Sequence, residues 1–144
     1  IDLGDGARLD ILSAGGADGT DGRNDASIVA RLTYGQLSVL LTGDAESGTE
    51  AALLAGGQPL ASVVLKAGHH GANTSSSEAF LRAVAPQVIV ISAGADNTYG
   101  HPAPAMLARA AAVGATVLRT DEVGTIEVVS DGERMWWEVD RGGP

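Results

Sequence analysis

The stretch Ala61–Gly94, "ASVVLKAGHHGANTSSSEAFLRAVAPQVIVISAG", decides the fold. Its ends, ASVVLKAG and QVIVISAG, are continuous apolar runs of strand length, the pattern of strands buried on both faces of a sheet. Between them SSSEAFLRAVAP reads as a helix. Ser75 stands as N-cap, Glu78 three residues later completes a capping box, and Pro86 falls just past the end. Strand, helix, strand is the repeating unit of an α/β layer structure. Two of the chain's three histidines, His69 and His70, stand where the first of these strands finishes.

Upstream, ASIVARLTY and LSVLLTG are β-branched runs split by Gly35-Gln36, a hairpin signal. RLDIL (Arg8–Leu12) alternates as a strand does, and the Gly- and Asp-rich stretch Ser13–Asp25 reads as a flexible loop. DAESGTEAALLAGG reads as a helix entered at Asp44 or Ala45 and stopped at Gly56-Gly57. Downstream, PAPAMLARAAAVG is a helix entered through prolines and closed by Gly114. ATVLRT, GTIEVVSD and GERMWWEV follow as short strands, with Asp131-Gly132 turning the last two into a hairpin. RMWWE reads as an edge strand with one indole buried. The order is βββ-α-β-α-β-α-βββ without internal repeat, so the expectation is one α/β domain over residues 1–144, a mixed sheet with antiparallel hairpins at its ends.

The bulk numbers narrow the function. A hydrophobic content of 44% with 19% charged residues is that of a globular chain. No apolar run approaches the ~18 residues needed to span a membrane as a helix. The opening IDLGDGARLDIL reads as mid-protein, so a domain belonging to something longer is expected. The net charge is −9, whereas chains that grip nucleic acid by neutralising phosphates are usually basic. A divalent metal is the obvious source of the missing positive charge if the ligand is a polyanion. With no cysteine in the chain, disulfides and thiolate metal sites are excluded.

Polar residues collect where apolar strands finish. LLTGD leaves Asp44 beyond Leu41, LKAGHHG leaves His69 and His70 beyond Leu65, and VISAGADNTYGHP leaves Asn97, Tyr99 and His101 beyond Ile91. Ligands of open α/β sheets gather at the carboxyl ends of strands. Taken singly, each has an ordinary reading: Asp44 as a helix cap, the histidines as hydrogen-bonded loop residues, His101 as part of a turn. The serines of NTSSSE read as a cap and not as nucleophiles. Together, imidazole and carboxylate form a donor set suited to Zn²⁺, Mn²⁺ or Fe, and a carboxylate able to bridge two metals underlies two-metal hydrolysis of phosphate esters. The chain offers too few histidines for a complete dinuclear site.

From Asn24 to Val129 the chain resembles the second half of the metallo-β-lactamase-like domain at the C-terminal end of the competence protein ComEC. The motifs that carry the likeness are TGD, GHHG with S-x-S, N-x-YGHP and LRTDEVGTIEV. The resemblance implies half of an αββα sandwich and a part in DNA uptake during natural transformation. It also implies a metal-dependent nuclease that degrades the strand not imported, on the extracytoplasmic side of the membrane and tethered beside a membrane channel. Carried over by position, Asp44 and His70 are the metal ligands, with two Mn or Zn ions expected in the complete domain. His69 stands beside them as alternative ligand or support, and Asn97, Tyr99 and His101 are expected to position phosphate or deliver a proton.

The H-x-[HD]-x-D-H loop from which this fold takes most of its ligands does not occur here, and Ala72 stands where the family usually has Ser. The implied partner is therefore the N-terminal half of the same domain, and the chain alone is expected to be inactive. Two alternatives stand beside this reading: a related hydrolase of another phosphoester, and a catalytically silent scaffold of the uptake machinery.

Overall fold

The computed structural model describes residues 1–15, 24 and 26–140. Most of the Gly- and Asp-rich stretch therefore lies outside the described residues. The chain forms β1 (Asp2–Gly4), β2 (Ala7–Ala14), β3 (Ile28–Tyr34), β4 (Leu37–Leu41), α1 (Ser47–Gly56), β5 (Val64–Lys66), α2 (Glu78–Val84), β6 (Val88–Ile91), α3 (Pro104–Ala112), β7 (Thr116–Arg119), α4 (Thr120–Val123), β8 (Ile126–Ser130) and β9 (Met135–Val139). Among the described residues no helix is long and apolar enough to cross a membrane.

Strands β1 to β7 form one sheet in sequence order. The first four pair antiparallel, β1–β2 and β3–β4 across two-residue turns, while β4, β5, β6 and β7 pair parallel, each reached through a helix. The register puts Leu40, Leu65, Ile89 and Val117 side by side. The buried core joins the first three, with Ile91, to Leu53 of α1, to Phe80, Leu81 and Val84 of α2, and to Met106 and Ala110 of α3. All three crossover helices therefore cover one face. Residues of opposite parity line the other face, among them Leu9, Leu32, Val39, Val90 and Leu118; Ile11, Ile28 and Leu41 on that face are exposed.

Four local expectations change. The hairpin β8–β9 is a separate two-stranded sheet, docked through the Gln36 amide donating to Gly132 O at 2.6 Å. A Cβ on Gly35 would lie 2.0 Å from that oxygen, which is why the β3–β4 turn carries glycine there. Neither indole of the Trp pair is buried, since β9 has the main sheet on neither side and both Trp136 and Trp137 stay exposed. Helix α1 starts at Ser47, not at Asp44 or Ala45, because Gly43 takes a left-handed φ of 55° and Ala45 N closes a turn onto Thr42 O. Helix α2 is capped by Ser77, whose Oγ accepts from Phe80 N, and not by Ser75. Ser75 is turned inward, its hydroxyl donating to Gly68 O and Ala72 O.

Candidate functional site

The ends of β4 and β5 are tied before any ligand is considered. Thr42 Oγ1 donates to Lys66 O at 2.7 Å, and Gly43 O accepts from both Lys66 Nζ and His69 N. Asp44 N donates to Ser27 Oγ at 3.0 Å. The TGD turn is thus fixed on three sides, and the Asp44 carboxylate projects from it nearly half exposed.

The GHHG segment is a tight 3-10 turn over Gly68–Gly71. His69 (φ 43°) and His70 (φ 55°) both sit in the left-handed region, where a residue with a Cβ loses roughly 1–2 kcal/mol. Strain of this kind persists where the surroundings dictate it, often at functional sites. The flanking glycines are dictated by contact: a Cβ on Gly68 would lie 2.5 Å from Ala45 O, and one on Gly71 2.8 Å from Pro102 Cβ.

Below the turn, the serine loop is clamped from two sides. Buried Glu50 accepts from Ser76 N and Ser77 N. Arg109 of α3 donates to the carbonyls of Asn73, Ser75 and Ser76. The Ser75 and Ser77 hydroxyls therefore serve the backbone, the buried Ser76 Oγ has no partner among the described residues, and the clamp fixes the loop that follows the histidines.

The two imidazoles diverge. His70 Nδ1 lies 2.6 Å from Ser92 O, an acceptor, so Nδ1 carries a proton and, in the neutral ring, Nε2 offers a lone pair. That Nε2 is 3.7 Å from Asp44 Oδ1, too long for a hydrogen bond. It is close to the ~3.4 Å that separates two donors on one tetrahedral zinc. His69 turns the other way, its Nδ1 2.7 Å from Glu46 Oε1, which also accepts from Asn24 Nδ2 at 2.9 Å. Asn24 and, against a burial cost, His69 hold the Glu46 carboxyl below its ordinary range. Engaged in this way, Glu46 makes no side-chain cap for α1 although it occupies the N-cap position.

The third strand end joins through Ala103 N, which donates to Gly71 O at 2.9 Å. His101 comes within 5.4 Å of His69, ring centre to ring centre, and Tyr99 lies nearly parallel over His101 at 6.2 Å. Burial, then the charges of His69 and His70, push the His101 imidazole below its ordinary value. Its Nδ1 is buried with no partner among the described residues, an arrangement more tolerable for a bare nitrogen than for an N–H. Asn97 is committed to its own loop: its amide donates to Gly94 O and His101 O and accepts from His101 N. His70, Ala93, Gly94, Asn97, Tyr99 and His101 line a shared pocket of about 190 Å³.

The structure thus gathers Asp44, His69, His70, Asn97, Tyr99 and His101 around one edge. It adds two residues that sequence reasoning missed. Glu46 stands two positions after Asp44, and Lys66 is lowered in pKa by burial against the pull of Asp44. A carboxylate at the N-cap and a lysine closing an apolar run were the visible signals. Among the described residues no group of three or more His, Cys, Asp or Glu is placed to hold a metal. Asp44 and His70 fit as two donors of a larger set.

The site and sheet define an α/β protein with a polar constellation at parallel strand ends. No family model matches the chain. It is similar to Competence protein ComA of Neisseria gonorrhoeae, 44% identical over 105 residues, which is 72% of this chain and 15% of the relative. It is 37% identical to ComE operon protein 3 of Bacillus subtilis over 73% of the chain and 14% of the relative. Recombination protein 2 of Haemophilus influenzae is 37% identical over 73% of the chain and 13% of its own length. The chain spans about a seventh of the length of these curated relatives.

Proposed function

We propose that the chain is the C-terminal half of a metallo-β-lactamase-like domain in a DNA-uptake protein, and that it contributes to metal-dependent hydrolysis of the DNA strand that is not imported. The observation that carries this reading is the pair Asp44 Oδ1 and His70 Nε2, 3.7 Å apart, both donors presented by fixed turns and neither satisfied by the other. The apolar sheet face opposite the helices supports a second sheet as partner, the half-sandwich reading. That second half would bring the donors this chain lacks.

In this arrangement Asp44 and His70 would hold a Mn or Zn ion. Such an ion lowers the pKa of bound water and neutralises charge on a phosphodiester. The chain's own residues do the rest. Ser92 O fixes the His70 tautomer, as carbonyl partners of metal-bound histidines do. Glu46 and Asn24 orient His69 toward the His101 ring, and Lys66 adds positive charge beside Asp44. Alone, the chain would bind metal weakly, having two donors of the usual four.

The test is Mn²⁺-dependent cleavage of end-labelled single-stranded DNA by the longer protein that includes this chain. Asp44→Asn and His70→Ala should each lower the rate at least about 100-fold, the upper end of what even supporting residues of metal sites cost. Cleavage of small phosphoesters in preference to DNA would move the reading to a different hydrolase. Unchanged cleavage in both variants would leave a scaffold role.

A further inference from the structure

We propose that the pocket beside His70 is a nucleobase subsite, with Tyr99 as its stacking platform. It rests on the DNA reading above and names what the site would grip besides phosphate. At about 190 Å³ the pocket is smaller than the roughly 300 Å³ at which drug-sized sites begin, so it admits one small flat group. Tyr99 and His101 line it with ring planes only 18° apart. His70 belongs to both the pocket and the Asp44 pair, so an occupant lies directly beside whatever that pair holds. A base and its adjoining phosphate have that relation.

Tyr99 is 82% exposed, the most exposed of the large apolar side chains described. Its ring adds little to the core, in a chain with only two Tyr, two Trp and one Phe. The loop that carries it is nevertheless held by the three Asn97 hydrogen bonds. An exposed ring on a pinned loop is pre-organised for a flat ligand. Stacking also suits a chain of net charge −9, because its strength does not depend on neutralising phosphate. The Asn97 amide is already committed, so it cannot read base edges, and the subsite should accept any base.

The experiment is an NMR titration of the 144-residue chain, in EDTA, with thymidine 5′-monophosphate and separately with deoxyribose 5-phosphate. The nucleotide should shift resonances across Asn97–His101, while the sugar phosphate at the same concentration should not. Tyr99→Ala, a change at an exposed position that leaves the core intact, should weaken nucleotide binding by at least about fivefold, the low end of base–aromatic stacking. Tyr99→Phe should retain it. No shift with the nucleotide, equal shifts with the sugar phosphate, or unchanged binding in Tyr99→Ala would each overturn the subsite. Because no metal or cleavage enters the readout, a failed nuclease assay leaves this result standing, and cleavage without base-dependent shifts refutes the subsite alone.

Discussion

Glu50→Ala should destabilise the protein strongly although Glu50 is not one of the candidate-site residues. Its carboxylate is 3% exposed and is the acceptor for Ser76 N and Ser77 N at the entry to α2. Alanine leaves both N–H groups without that partner, at about 1–3 kcal/mol each when buried. Ser77 N is only partly buried, so the pair should cost about 3–4 kcal/mol. That is a large fraction of the ~5–15 kcal/mol available to a domain. Glu50→Gln keeps one oxygen as acceptor but points an amide N–H₂ at the second donor, and should lose about half as much. Urea unfolding followed by tryptophan fluorescence reads this as a shift in midpoint at constant slope, about 1–4 M for Glu50→Ala given slopes of ~1–3 kcal/mol/M. A loss below about 1 kcal/mol for Glu50→Ala, or equal losses for Ala and Gln, would refute the clamp.

The left-handed turn makes a prediction of opposite sign to the usual rule. At His70, Gly should be more stable than Ala by about 1 kcal/mol, whereas in a regular helix or strand Ala wins by about 0.5–1 kcal/mol; paired thermal melts of the two variants check it. Acid stability should depend on Asp121, whose carboxyl Arg119 holds below its ordinary value, with 11% of the side chain exposed. A depressed folded pKa stabilises above the unfolded value of about 3.9 and is lost as pH falls through the folded value. Asp121→Asn should therefore cost about 1 kcal/mol at neutral pH and flatten that part of the acid limb, as measured by urea midpoints at a series of pH values.

Much of this architecture was legible because burial on both faces writes continuous apolar runs. QVIVISAG became β6, and Gly35-Gln36 became the β3–β4 turn. ASVVLKAG shrank to Val64–Lys66 because Ser62 N and Val63 N are drawn off to Val84 O and Ser38 Oγ. Strand pattern also says nothing of partners, so the β8–β9 pair was visible and its separation from the main sheet was not. The sequence favours Ser75 over Ser77 as the cap, because Glu78 follows it three residues later; the inward turn of Ser75 toward Gly68 O leaves that role to Ser77. Asp44, the histidine pair and His101 stood out by their place after apolar runs. Glu46 and Lys66 did not, because their roles lie in contacts 20 or more residues away, with His69 and Gly43 respectively.

The central claim is that Asp44 and His70 together present a metal from two strand ends, and paramagnetic broadening tests it on the chain itself even at weak affinity. Substoichiometric Mn²⁺ is added to isotope-labelled protein and the order in which resonances broaden is recorded. The Asp44 carboxyl and His70 imidazole should broaden first, and the Asp44→Asn/His70→Ala double variant should lose that local effect. Broadening that begins at another acidic cluster such as Asp121 and Glu122, and persists unchanged in the double variant, would contradict the account.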